Sequence, residues 1–190
     1  MLFRSDTIDN TALLAGKLSN MLPKDIVIYK IVPVAADAHA RFDACSRTYK
    51  YMISENKDPF NYEYVCRMSL GNMNFDVMND VCRVLFDYSD FTSFSKLHTD
   101  AKTNNCRIYE ARWEKVDDMW VFTIKADRFL RNMVRAIVGT LFDVGRGKVS
   151  IDGFRAIIEA KNRGRAGTSA PAEGLALTNI EYPGKVFLDL

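Results

Sequence analysis

A chain of 190 residues, 48% hydrophobic and 26% charged, can bury a core as one domain or as two small ones. No apolar run reaches the roughly 18 residues of a membrane-spanning helix, and the opening residues from Met1 to Asp9 lack the apolar stretch of a signal peptide, so a cytoplasmic protein is expected. The net charge is only +2 but uneven: residues 125–165 hold ten Lys/Arg against four Asp/Glu, the rest of the chain sixteen against twenty. That asymmetry fits a polyanion-binding half joined to a neutral scaffold.

In chain order, Asp9 or Asn10 is placed to cap a first helix whose buried stripe is Leu13, Leu14, Leu18, Met21 and Leu22, with Pro23 as its stop. Residues 25–34, rich in Ile and Val, read as a strand. Residues 45–54 alternate, with Arg47, Tyr49, Tyr51 and Ile53 on one face and Thr48, Lys50 and Met52 on the other. A short strand is expected over 64–69, and a helix over 76–86 with Val77, Val81, Val84 and Leu85 inward. Residues 87–105 read as a polar, irregular stretch. Residues 106–116 and 120–126 form a hairpin around Asp117-Asp118. A helix from about Arg128 follows, ending at Gly145 and Gly147, then a shorter one over 152–161. The loop 163–174 leads into a last strand over 175–182. Hairpins mixed with helices predict an α+β fold, a largely antiparallel mixed sheet with helices packed on one face.

The helix from Arg128 holds the strongest pattern. Phe129, Leu130, Met133, Ala136, Ile137, Thr140 and Leu141 share one arc at a period of about 3.6 residues. Arg128, Arg131 and Arg135 project from the other arc, with Asn132 and Gly139 between them and without the acidic residues that a solvated charged face usually carries. Such a row suits an anion, and Gly139 offers a place where a phosphate or base reaches the backbone. Tyr49 and Tyr51, beside Arg47, are either core or half-buried sheet residues, or an aromatic platform for a nucleobase.

Other groupings carry less. Gly145-Arg-Gly-Lys-Val-Ser150 lacks the spacing of a phosphate loop and follows a helix rather than a strand. Ser93, Ser95, His98 and Asp100 have the residue types of a hydrolytic triad, but closeness in sequence is not triad geometry, and a polar loop accounts for them. Cys45, Cys66, Cys82 and Cys106 show no Cys-x-x-Cys and read as reduced thiols, with no metal site expected.

Four segments, in this order and spacing, resemble the tRNA pseudouridine synthase A family. They are Ala38-His-Ala-Arg-Phe-Asp-Ala-Cys-Ser-Arg-Thr-Tyr-Lys-Tyr51, Asp90-Phe-Thr-Ser-Phe94, Arg128-Phe-Leu-Arg-Asn-Met-Val-Arg-Ala-Ile-Val-Gly139 and Ala170-Pro-Ala-Glu-Gly-Leu175. The resemblance implies isomerisation of uridine to pseudouridine at positions 38 to 40 of the tRNA anticodon arm, with no cofactor or metal, by a homodimer. It implies that Tyr49 is the active-site tyrosine that stacks on the base and that Arg135 pairs with a catalytic aspartate. Arg41, Arg47, Arg128, Arg131, Arg146 and Lys148 are the expected RNA contacts.

The family carries that aspartate in a Gly-Arg-Thr-Asp-x-Gly-Val-His motif, which is not found in these 190 residues. Arg4-Ser5-Asp6 imitates part of it but lacks the leading Gly and the following Gly-Val-His. The expectation is therefore a C-terminal domain, residues 1–190, with the N-terminal catalytic-Asp domain missing and the fragment inactive alone. Two alternatives remain at this stage: a non-catalytic tRNA-binding module, and a structural fragment with neither activity nor affinity.

Overall fold

The computed structural model describes residues 1–96 and 103–188. It divides into two compact units, Met1–Ala44 with the residues from Tyr182 onward, and Cys45–Glu181.

The first unit holds the α-helix α1 (Thr11–Met21), whose start is fixed by Asn10: its side-chain oxygen accepts from Leu13 N at 2.8 Å. The apolar stripe expected on α1 is not buried. Leu13 is 55% exposed and Met21 82%, and only Ala15 is buried. Nor do residues 25–34 form a strand. Val34 makes a single bridge to Phe187, and Ser19 Oγ accepts from Ile28 N at 2.9 Å, so β-propensity without a partner strand yields an irregular segment. Arg41 stacks its guanidinium over Phe42, 5.7 Å from the ring centre, in a turn closed by His39 and Asp43.

The second unit is built on a mixed sheet, and the α+β expectation holds. β1 (Ser46–Ser54) is its hub. It pairs antiparallel with β4 (Met119–Ala126) on one side, and β4 pairs with β3 (Ile108–Val116) in the hairpin read from the sequence. Asp117 takes the left-handed φ of 51° in that turn, a conformation aspartate tolerates better than most residues. On its other side β1 pairs antiparallel with β5 (Leu175–Glu181) and, at its end, parallel with the two-residue β2 (Cys66–Arg67).

The alternation on β1 is as expected, and it drives the core. Tyr51 and Ile53 are fully buried, while Tyr49 is half-buried. The Tyr51 ring meets Phe142 edge-on with centroids 6.2 Å apart, and its hydroxyl donates to Pro171 O at 2.9 Å. Burial, and then the neighbouring Cys66 thiol, push the Tyr51 phenol up, so it remains a donor. Tyr51 is thus a core residue and not half of a base platform.

Among the described residues three α-helices complete the unit. α2 (Phe75–Val84) is capped by Asn74, with Asp76 in its first turn and Arg83 in its last, both favourable to the helix dipole. Its buried Phe75 stacks on Trp120, planes 3° apart at 3.7 Å, and meets Trp113 edge-on. α3 (Met133–Gly145) packs against α2. α4 (Ile151–Glu159), capped by Ser150, buries Phe154, Ile157 and Ile158.

α3 departs from the expectation in two ways. It starts at Met133, not near Arg128, because Asn132 adopts φ 67° and breaks the helical path; Arg128 and Arg131 lie on the chain leading in. It is also buried nearly all round, including Val134, Val138, Gly139, Phe142 and Val144. Gly139 is not open to a ligand. A Cβ there would lie 1.7 Å from Thr168 O, so the space is taken by the protein's own backbone.

Candidate active site and RNA interface

The Asp90-Phe-Thr-Ser-Phe94 segment is less a polar loop than a clasp. Phe91 and Phe94 are fully buried. Asp90 accepts from Thr92 Oγ1 at 2.6 Å and from Thr92 N at 3.0 Å, and pairs with Lys161 at 2.9 Å. The Thr92 hydroxyl first, then Lys161, hold the Asp90 carboxyl below its usual range despite partial burial. Ser93 Oγ donates to Ile157 O at 2.6 Å and accepts from Asn162 N at 2.9 Å. These bonds fasten the end of α4, and with it the turn carrying Arg163, to the short helical turn Thr92–Phe94 that leads to Lys96. Of the triad residue types in this segment, Ser93 and Ser95 are buried, and His98 and Asp100 lie outside the described residues.

Beside that clasp lies an open groove of about 820 Å³, lined by Lys96, Arg131, Asn132, Arg135, Arg163, Ser169 and Leu175. Four of those seven side chains are cationic and none is acidic. Lys96 is brought next to Arg131 by its own backbone, Lys96 N donating to Arg131 O at 3.0 Å. Arg135, in the first turn of α3, is half-buried, and its Nε donates to Ala170 O at 2.6 Å. Ala170 N returns a bond to Arg135 O at 2.9 Å. With Nε committed, the two terminal nitrogens of the guanidinium remain for an acceptor, in the fork geometry that suits a carboxylate. Among the described residues Arg135 makes no ion pair.

The other expected residues fall elsewhere. Tyr49 is not on the groove lining; its ring sits edge-on against Phe129, centroids 5.2 Å apart, on the segment leading to Arg131. Arg47 Nη1 donates to Asp127 O at 2.7 Å, and the next residue, Arg128, is half-buried. Arg146 and Lys148 line a second cavity of about 410 Å³ that also contains Asp143 and Glu173. There the Arg146 guanidinium lies 5.8 Å from the Phe142 ring, and Lys148 approaches Asp143 at 3.8 Å. Arg41 belongs to the first unit. Lys96, Arg163 and Ser169 escaped the sequence reading because distant loops deliver them; the only hint was the Arg-, Gly- and Ser-rich run after α4.

A groove whose described lining is basic and without a carboxylate, on an α+β scaffold, has the charge that suits a polyanion. A family profile described as tRNA pseudouridine synthase matches residues 88–183. The tRNA pseudouridine synthase A of Parabacteroides distasonis is 61% identical over 182 residues, 96% of this chain and 72% of that protein. Its counterpart in Bacteroides thetaiotaomicron is 54% identical over 188 residues, covering 97% and 70%. That of Bacillus subtilis is 38% identical over 168 residues, covering 87% and 67%. The chain belongs to the tRNA pseudouridine synthase family, whose members are isomerases acting on tRNA.

Proposed function

We propose that this chain is the C-terminal domain of a cytoplasmic, homodimeric isomerase that converts uridine to pseudouridine at positions 38 to 40 of the tRNA anticodon arm. In this reading Arg135 pairs with a catalytic aspartate from outside these 190 residues, keeps it ionised and fixes its direction. The aspartate drives cleavage of the C1′–N1 glycosidic bond of a flipped-out uridine; the base turns, rejoins C1′ through C5, and loses its C5 proton to solvent while N1 gains one. Flipping costs a few kcal/mol of stacking, part of which Tyr49 offsets. Arg131 and Lys96 hold phosphates along the groove, with Arg41, Arg47, Arg128, Arg146 and Lys148 as further contacts. The observation that carries the reading is a guanidinium anchored by a backbone carbonyl in a groove whose described lining holds four cations and no carboxylate.

Tritium release from tRNA labelled at uridine C5 tests it. The chain alone should bind tRNA without turnover; joined to the polypeptide that supplies the aspartate it should turn over, and Arg135→Ala should abolish that. Turnover by the chain alone would refute the divided site, and turnover surviving Arg135→Ala would refute the role of the arginine. The missing carboxylate equally favours a tRNA-binding module without catalysis; failure of every aspartate-bearing partner to restore turnover would select it.

A further inference from the structure

Three chain segments meet at Ser169 Oγ. Asn132 Nδ2 donates to it over 2.6 Å from the residue before α3, and Arg163 Nη2 donates over 2.9 Å from the turn after α4. A serine oxygen has two acceptor positions, and these two donors fill both. Asn132 sits at φ 67°, ψ 2°, a left-handed conformation that asparagine tolerates better than most residues. Its side chain makes no capping bond to α3 and reaches Ser169 instead. Arg163 also donates from Nη1 to Gly167 O at 3.1 Å, so one guanidinium straps both ends of the stretch from 167 to 169. The next residue, Ala170, provides both backbone groups that hold Arg135.

We propose that Ser169 is a positioning residue for Arg135. By gathering Asn132 and Arg163 on one oxygen it sets the path of the loop entering Ala170, and so the direction in which the Arg135 guanidinium faces the groove. Its catalytic consequence rests on the reading of Arg135 as partner of the catalytic carboxylate; its geometric content concerns this chain alone.

The geometric part is read from solvent exchange of the Arg135 Nε–H in the 15N-labelled chain. Ser169→Ala should speed that exchange by about tenfold, as two hydrogen bonds are lost from the loop, and Ser169→Thr should restore it to within about twofold. Asn132→Gly should speed it as well. Glycine adopts the same positive φ without strain, so this variant keeps the test alive should Ser169→Ala fail to fold. Unchanged exchange in Ser169→Ala or, if that variant fails to fold, in Asn132→Gly overturns the proposal. In the complete isomerase Ser169→Ala should lower kcat by about tenfold to a hundredfold with KM and tRNA affinity within about twofold. A loss confined to KM would make Ser169 a binding contact and overturn the positioning role. Arg135→Ala separates the two ideas: retained turnover there sinks the functional reading and leaves the exchange result standing. Inactive Arg135→Ala beside fully active Ser169→Ala sinks only the catalytic role given to Ser169.

Discussion

Replacing Gly139 by alanine sets two opposed effects against each other. In the interior of α3, intrinsic propensity favours alanine over glycine by about 1 kcal/mol. The added methyl, however, would stand 1.7 Å from Thr168 O, 2.9 Å from Thr168 C and 3.1 Å from Ala170 N. These are backbone atoms and cannot swing aside as a side chain does, so the 166–171 loop must move off α3. Overpacking of this kind costs roughly 1–3 kcal/mol, and contact with backbone belongs at or beyond the upper end. Net destabilisation of about 2 kcal/mol is expected, a fall in Tm of roughly 4–8 °C for a chain of this length. Thermal unfolding followed by circular dichroism measures it, with Gly16→Ala in α1 as the control. Nothing lies within 4 Å of a Cβ at Gly16, so that change should be neutral or stabilising. Gly139→Ala as stable as the wild type would mean that the loop does not press on α3, and the account of how Arg135 is held would fall with it.

Thr140→Val removes a hydroxyl that is fully buried, donates to Ala136 O and accepts from Gly167 N at 2.9 Å. Leaving that N–H without its partner should cost about 1–3 kcal/mol, visible as a lower urea midpoint with unchanged slope. Asp90, whose carboxyl is held below its usual range, contributes stability that is complete above the ordinary carboxylate range, near pH 4, and is lost as pH falls through its lower folded value. Asp90→Asn should therefore flatten the loss of urea stability on acidification; an acid limb of unchanged steepness would remove Asp90 from the clasp. In filter binding, Lys96→Ala and Arg131→Ala should each reduce the slope of log K against log salt by about 0.7–0.9, one phosphate contact apiece. An unchanged slope for both would place the RNA elsewhere.

Where local pattern and packing agree, the sequence was legible. The period-two run on β1, the Asp117-Asp118 turn, and α2 and α4 were read to within a residue or two, because each has its own cap or turn chemistry and one buried face. Residues 25–34 had β-branched composition, but among the described residues no strand pairs with them, and α1 had amphipathic spacing but leaves Leu13 and Met21 exposed. The start of α3 was misread because the arginine spacing continues smoothly through Asn132, and only its backbone angle breaks the helix. Gly139 carried a correct signal of close approach assigned to the wrong visitor, which is the loop at Thr168 rather than a ligand. Of the candidate site, Arg131 and Arg135 were visible as a cationic pattern. Lys96, Arg163 and Ser169 are set at the groove by long-range contacts, Lys96 N to Arg131 O, Ser93 to Asn162, and Asn132 and Arg163 to Ser169, which no local periodicity encodes.

The aromatic wall where Phe75 lies flat on Trp120 and edge-on to Trp113 holds both tryptophans of the chain. Intrinsic indole emission will therefore report the packing of α2, and of α3 through Phe142, on the β3–β4 hairpin. Titrating tRNA while watching that emission would sample a site lined by neither indole, so an optical reporter of RNA arrival has to be installed beside the groove rather than borrowed from the native chromophores.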